Sequence, residues 1–169
     1  RYKARCVALG NKQKNVMSSE VFSPTISHAA NRHLLVEAAA NSLYVDQFDI
    51  SNAFIKASLT DERVFLRLPK NWSKNPKGDI VRLLKSLYGL RIAPRKWFDH
   101  YRNYLQSSGW VMCEREPGLF RRGDITIAVY VDDTLTSGPD PREVKRVRDE
   151  ILTALPGKVV PAVMEGQTE

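Results

Sequence analysis

The stretch ITIAVYVDDTLTSG, Ile125 to Gly138, restricts the possible folds of this chain more than any other. Apolar and β-branched residues run up to Val131, and a second β-branched segment follows Asp133 directly. Residues of this kind favour strands, and two strand segments with no long connection between them pair as an antiparallel hairpin. Asp132 and Asp133 then occupy the bend. Adjacent carboxylates in a poorly hydrated bend repel each other, and a cation removes that cost. An Asp-Asp pair on a solvated turn is ordinary surface chemistry; the pair here is set apart by the two β-branched segments that flank it.

The rest of the chain is read by periodicity. RYKARCVALGNKQK, Arg1 to Lys14, has strand-like character up to a turn at Gly10 and Asn11 and suggests a basic hairpin. Ser27 is placed to cap a helix in which Leu34, Leu35, Ala38, Ala39 and Leu43 recur at helical spacing. From Tyr44 the period becomes two: Tyr44, Asp46, Phe48 and Ile50 share one face, and Val45, Gln47 and Asp49 the other. Asp49 thus ends a strand, and Ser51 and Asn52 introduce a short helical turn through Ala53, Phe54 and Ile55. Val64, Leu66 and Leu68 alternate with Arg63, Phe65 and Arg67 as a half-exposed strand with a basic outer face. A strand from Asp79 runs into a turn at Gly89, and Pro94 suits the first position of a helix carrying Trp97, Phe98, Tyr101, Tyr104 and Leu105. Asp140, Pro141 and Glu143 start a last helix whose inward residues are Val144, Val147, Ile151, Leu152 and Leu155. The order implies an α+β fold with helices on one face of an antiparallel sheet, which a ferredoxin-like palm satisfies.

Composition narrows the class. With 169 residues the chain suits a single compact unit, and it holds no apolar run near the roughly 20 residues of a membrane span. No membrane partner is expected. Arg1 is not a methionine and no secretory signal follows it, so the chain is read as a piece of something longer. Cys6 and Cys113 lack metal-site or disulfide spacing and suit reduced thiols in an intracellular protein. The net charge of +7 favours a polyanionic partner.

The chemistry follows from three acids. Antiparallel pairing can bring Asp49 beside Asp132 and Asp133, and with the Ile50 carbonyl these make a hard oxygen site suited to Mg²⁺ or Mn²⁺. Two ions roughly 4 Å apart can activate an attacking oxygen, stabilise a leaving one and neutralise a phosphoryl transition state.

RYKARCVALGNKQ, VFSPTISHAANRHLLVEAAA, QFDISNAFIKASL, LKSLYGLRIAPRKWF and AVYVDDTLTSG, in this order and spacing, resemble the successive blocks of the reverse-transcriptase domain of Ty1/copia-type retrotransposons. The resemblance covers Arg1 to about Leu155 and implies a palm with partial fingers over residues 1–158. Residues 159–169 would start a thumb or connection, or form an irregular tail. It implies an RNA-directed DNA polymerase that joins deoxynucleoside triphosphates to a primer 3′-hydroxyl on an RNA or DNA template. Asp49, Asp132 and Asp133 would be catalytic and hold two metal ions. Phe54 would lie under the incoming sugar and exclude a 2′-hydroxyl. Tyr88, Gly89, Lys3 and Arg5 would contact the nucleotide, and Tyr130, Val131, Leu87 and Leu90 the primer and template. Lys158 stands near the position of a proton donor to the pyrophosphate leaving group. The implied partners include the rest of a Pol polyprotein, namely thumb, RNase H and integrase, and the implied setting is a cytoplasmic virus-like particle ahead of DNA entry into the nucleus. The chain departs from the family pattern at Lys56 and Ala57, where a small polar pair is usual, and its likeness fades after Val159. The alternative reading is a palm remnant that binds nucleic acid without catalysis. A nucleotide cyclase, another palm enzyme, gives no reason for the SLYGLRIAPRKW block.

Overall fold

The computed structural model describes residues 5–13, 21–72, 75 and 77–161. Among the described residues eight strands occur, β1 Tyr44–Asp49, β2 Phe65–Arg67, β3 Ile80–Arg82, β4 Val111–Met112, β5 Leu119–Arg122, β6 Ile125–Tyr130, β7 Asp133–Gly138 and β8 Lys158–Val160, with the longer helices α1 His28–Ala40, α2 Ala93–Ser107 and α3 Pro141–Ala154. Length alone suggested one unit. Instead the chain divides into two, Arg1–Ser23 with Ala53–Tyr101, and Pro24–Asn52 with Arg102–Glu169.

The second unit is built on a six-stranded antiparallel sheet in the order β4-β5-β6-β7-β1-β8. The β6–β7 hairpin and the alternation of β1 are as the sequence implies: Asp46, Phe48 and Ile50 are buried, and Gln47 is exposed. Directly paired residues share a face. The register Asp46↔Thr136 and Phe48↔Thr134 therefore defines one face, and Gln47↔Leu135 and Asp49↔Asp133 the other. Helix α3 covers the Phe48 face, where its Arg148 reaches Asp46 at 2.7 Å and Lys145 lies over the Tyr44 ring. Val144, Val147 and Ile151 are its buried positions. The C-terminal end of α2 adjoins α3 through the Tyr104 hydroxyl, which donates to the Glu150 carbonyl.

The expectation of helices on a single face is corrected for α1. Its Ala30 and Leu34 pack with Ile26, Leu119, Ala128 and Leu135, all on the face opposite α3. The segment before α1 fixes this choice, because the Ile26 amide donates to the Val129 carbonyl at the sheet. Ser27 caps the helix by accepting from the Ala30 amide, and donates from its own amide and hydroxyl to Glu116. Asp140 caps α3 through the Arg142 amide with Pro141 in the first turn. Glu143 pairs with Arg146 at 2.7 Å. Strand β8 pairs with β1 at the edge of the sheet.

The first unit has its own core of Ala8, Leu59, Leu90, Ile92 and Ala93, with Phe54, Val64, Leu66, Leu83 and Leu87 against it. Strands β2 and β3 form a separate antiparallel ribbon, and Leu66 turns inward as expected. The basic hairpin expected at the start is not formed within residues 5–13, where Gly10–Lys12 makes a 3₁₀ turn. The segment is instead tied to the turn before α2 by two hydrogen bonds: the Ala8 amide donates to the Tyr88 carbonyl at 2.7 Å, and the Arg91 amide to the Gln13 side chain. Gly89, at φ +85°, is required there because a Cβ would strike the Ala8 carbonyl. Helix α2 opens at Ala93, one residue ahead of Pro94, and Trp97 stacks on Tyr101 with ring centroids 5.4 Å apart, both buried.

Candidate active site

Four residues on four adjacent strands of the second unit stand in one row. Tyr130 pairs with Asp133, Asp133 with Asp49, and Asp49 with Lys158. All four side chains therefore leave the sheet on the same face. The Ile50 amide donates to the Asp132 carbonyl at 2.9 Å, which makes Ile50 and Asp132 a hydrogen-bonded pair. Asp49 and Asp133 are then the alternate, non-hydrogen-bonded pair, in which Cα atoms approach to about 4.5 Å and side chains stand closest. Two carboxylates thus face each other at the end of the sheet, with Asp132 on the adjoining bend.

The bend is strained. Val131 sits at φ +60° in the two-residue loop between Tyr130 and Asp133. Gly or Asn suits that position, and a β-branched residue there costs about 1–2 kcal/mol. The paired strands on both sides hold it in place, and such strain concentrates at functional sites. The end of β1 is fixed from its other side as well. The Ser51 amide donates to the Pro156 carbonyl at 3.1 Å, and a Cβ on Gly157 would meet the Asp49 carbonyl, so the approach to β8 admits only glycine without a backbone shift.

Crowding around its carboxylate raises the Asp133 pKa above the ordinary range, and the charges of Asp132 and Asp49 add to the rise. A hydrogen bond from the Gln47 side chain opposes them. Gln47 was not among the sequence candidates, although the period of two had already put it on the Asp49 face. Beside the pair lies a cleft of about 240 Å³ lined by His28, Asn31, Gln47, Tyr130, Asp133 and Leu135 among others. His28 and Asn31 come from α1 and were legible only once that helix was placed on this face.

The three-carboxylate shell expected from the sequence is not drawn together: among the described residues no three His, Cys, Asp or Glu side chains gather closely enough to hold a metal. The facing pair nevertheless suits a cation, because its donors are hard oxygens and a cation offsets both the burial and the neighbouring charges that raise Asp133. The Ile50 side chain is fully buried.

In the first unit, Phe54, Tyr88 and Arg5 come together. Phe54 meets Tyr88 edge-on with centroids 5.1 Å apart, and the Arg5 guanidinium lies 4.6 Å over the Tyr88 ring. Lys3 lies outside the described residues. Leu90 is buried, and Leu87 packs partly buried against the same core.

An antiparallel α+β sheet carrying an acid pair at a strained hairpin bend has the layout of a polymerase palm. The chain belongs to the reverse transcriptase (RNA-dependent DNA polymerase) family, whose profile matches residues 1–159. It is 37% identical over 156 residues to the retrovirus-related Pol polyprotein from transposon RE1 of Arabidopsis thaliana, covering 89% of this chain and 11% of that protein. It is 31% identical over 161 residues to the transposon Ty1-GR1 Gag-Pol polyprotein of Saccharomyces cerevisiae, covering 94% of this chain and 9% of that one. The chain thus spans only about a tenth of the length of these relatives. Among solved structures, a telomerase chain from Candida albicans aligns over 90% of this chain and 34% of its own, with 12% identity and a TM-score of 0.35. No helix among the described residues is long and apolar enough to cross a membrane.

Proposed function

We propose that this chain is the catalytic core of a copia-type RNA-directed DNA polymerase, which extends a primer by joining its 3′-hydroxyl to the α-phosphate of a deoxynucleoside triphosphate. The observation that carries this reading is the facing of Asp49 and Asp133 in register beside a strained bend. The facing pair Asp49 and Asp133 would hold the divalent cations, Mg²⁺ or Mn²⁺, with Asp132 on the adjoining bend. When bound, two such ions supply the activation of the hydroxyl and the neutralisation of charge that phosphoryl transfer needs.

The chain's own groups do the rest. The ladder between β1 and β7 holds the two carboxylates at fixed separation, so no reorganisation is needed when charge develops. Gln47 orients the Asp133 carboxylate through its hydrogen bond. Tyr130 is half exposed on the same face, where a primer end can rest against it and Val131. Lys158 leaves the sheet beside Asp49 and supplies an ammonium suited to protonating the departing pyrophosphate. In the first unit, Phe54, Tyr88 and Arg5 form an aromatic and cationic group beside the Gly89 turn, fit for a sugar and a triphosphate. Primer-template, deoxynucleotides and the remaining segments of a Pol polyprotein are the partners this reading requires, in a cytoplasmic particle.

Primer extension on an RNA template with Mg²⁺ tests it. The chain is expected to lengthen the primer, and Asp49→Asn to lower the rate by about 10³ or more, since the site's charge stabilisation is worth several kcal/mol. Binding of primer-template with no extension by the unaltered chain would instead support a remnant that binds nucleic acid without catalysis.

A further inference from the structure

Charge is segregated along this chain. The first unit holds 16 Lys and Arg against 5 Asp and Glu, while the second holds 10 against 14. Within the first unit the β2–β3 ribbon turns Leu66 and Val81 toward the core and leaves its other face open. That open face is a checkerboard: Phe65 stands opposite Arg82, and Arg67 opposite Ile80. Phe65 and Ile80 are each 60% exposed, and both arginines are exposed. Cross-strand neighbours are about 5 Å apart, so apolar and cationic groups alternate both along and across the ribbon.

The guanidiniums are fixed in place by backbone carbonyls, which orient them and leave their charge intact. Arg67 donates to the Lys77 carbonyl at 2.9 Å, and Arg82 to the Thr60 carbonyl at 3.1 Å. The acids nearest in sequence on the β2 side are engaged elsewhere, Asp61 and Glu62 by Lys96 at 2.8 and 2.9 Å. Asp99 is likewise taken by Arg95. Trp72, 64% exposed, stands in the 3₁₀ turn that follows β2.

We infer that the open face of the β2–β3 ribbon is a binding platform for single-stranded nucleic acid, with bases resting on Phe65 and Ile80 and phosphates on Arg67 and Arg82. A ligand that matches this face must offer flat apolar surfaces and regularly spaced anions together. A single strand does so, whereas a duplex hides its base faces in the stack. The inference goes beyond the polymerase reading and stands apart from it, since it invokes none of the acids.

Fluorescence anisotropy of the chain with labelled oligo(dT) and oligo(U) at several salt concentrations tests it, with melting curves to confirm that each surface variant remains folded. Phe65→Ala is expected to weaken binding about tenfold and Phe65→Trp to preserve it. The pair Arg67→Gln and Arg82→Gln is expected to lower the slope of log affinity against log salt by about 1.4, or about 0.7 for each phosphate that is no longer neutralised. Unchanged affinity and slope in the combined variant would overturn the proposal. So would a change in sedimentation behaviour with oligonucleotide binding intact, which would mark the ribbon as a protein interface instead.

Discussion

Asp133→Asn is expected to raise the thermal stability of the chain at neutral pH while lowering primer extension by about a thousandfold. Asp133 has its carboxyl pKa raised by burial and by the charges of Asp132 and Asp49. In the pH window between the ordinary carboxylate value and the raised one, the folded chain holds a proton that the unfolded chain has lost. Stability therefore falls as pH rises through that window, and the ionised pair remains a burden above it. Asn carries no charge and removes the repulsion, so the variant should melt higher than the unaltered chain at pH 7. The gap should close as pH falls below the ordinary carboxylate range, where Asp133 is neutral in both states. Melting curves at neutral and acidic pH, paired with extension assays, check both halves of the claim. A variant less stable than the parent at neutral pH would show that the acids are not in mutual repulsion. The loss of extension follows from removing one of the two facing carboxylates, worth roughly 4 kcal/mol of transition-state stabilisation.

Phe48→Ala is expected to destabilise the chain by about 3–5 kcal/mol, a large share of the roughly 5–15 kcal/mol that holds a typical domain together. Phe48 is completely buried and faces Thr134, itself completely buried, on the side of the sheet that α3 covers. Removing its ring opens a cavity in the strand that lies between β7 and β8. The effect should reach the opposite face, because β1 positions Asp49 against both Asp133 and Lys158. Urea unfolding should show a lower midpoint with an unchanged slope, as expected when native packing is lost without a change in the denatured chain. A loss of stability below about 1 kcal/mol would show that β1 is not held by this face.

The parts of this architecture that the sequence displays are those in which a local pattern and the tertiary environment agree. The alternation from Tyr44 to Ile50 is one: even Asp46, an acid on the apolar side, is buried as its position requires, and Arg148 of α3 is the partner that makes this tolerable. The hairpin is another, although its bend falls on Val131 and Asp132 while Asp133 opens β7, and so are the caps Ser27 and Asp140. Strand β5 escaped notice because LFRR offers only a brief alternation and two arginines, one of which, Arg122, is committed to Glu150 and to the Trp110 ring. Strand β8 is three exposed residues whose strand character comes from pairing with β1 alone. The first segment looked like a hairpin by composition, yet its Ala8 amide is answered by the Tyr88 carbonyl, a long-range pairing that no local pattern announces. The same holds for α1, whose spacing marked an apolar side without indicating which face of the sheet it would cover.

For the site, the three acids were legible from sequence, and their register was not. The pairing of Asp49 with Asp133, the clamp at Gly157 and the hydrogen bond from Gln47 depend on which strands become neighbours. The Arg5, Tyr88 and Phe54 group was reached through resemblance, and the structure supplies a physical reason for it in edge and cation interactions of a kind worth about 0.5–1.5 kcal/mol each.

The facing of Asp49 and Asp133 as a hard-cation site is tested most directly by calorimetric titration of Mg²⁺ and Mn²⁺ into the unaltered chain, Asp49→Asn, Asp133→Asn and the double variant. The account predicts binding by the unaltered chain that each single substitution weakens strongly and the double variant loses. Binding of equal affinity and stoichiometry in the double variant would contradict it.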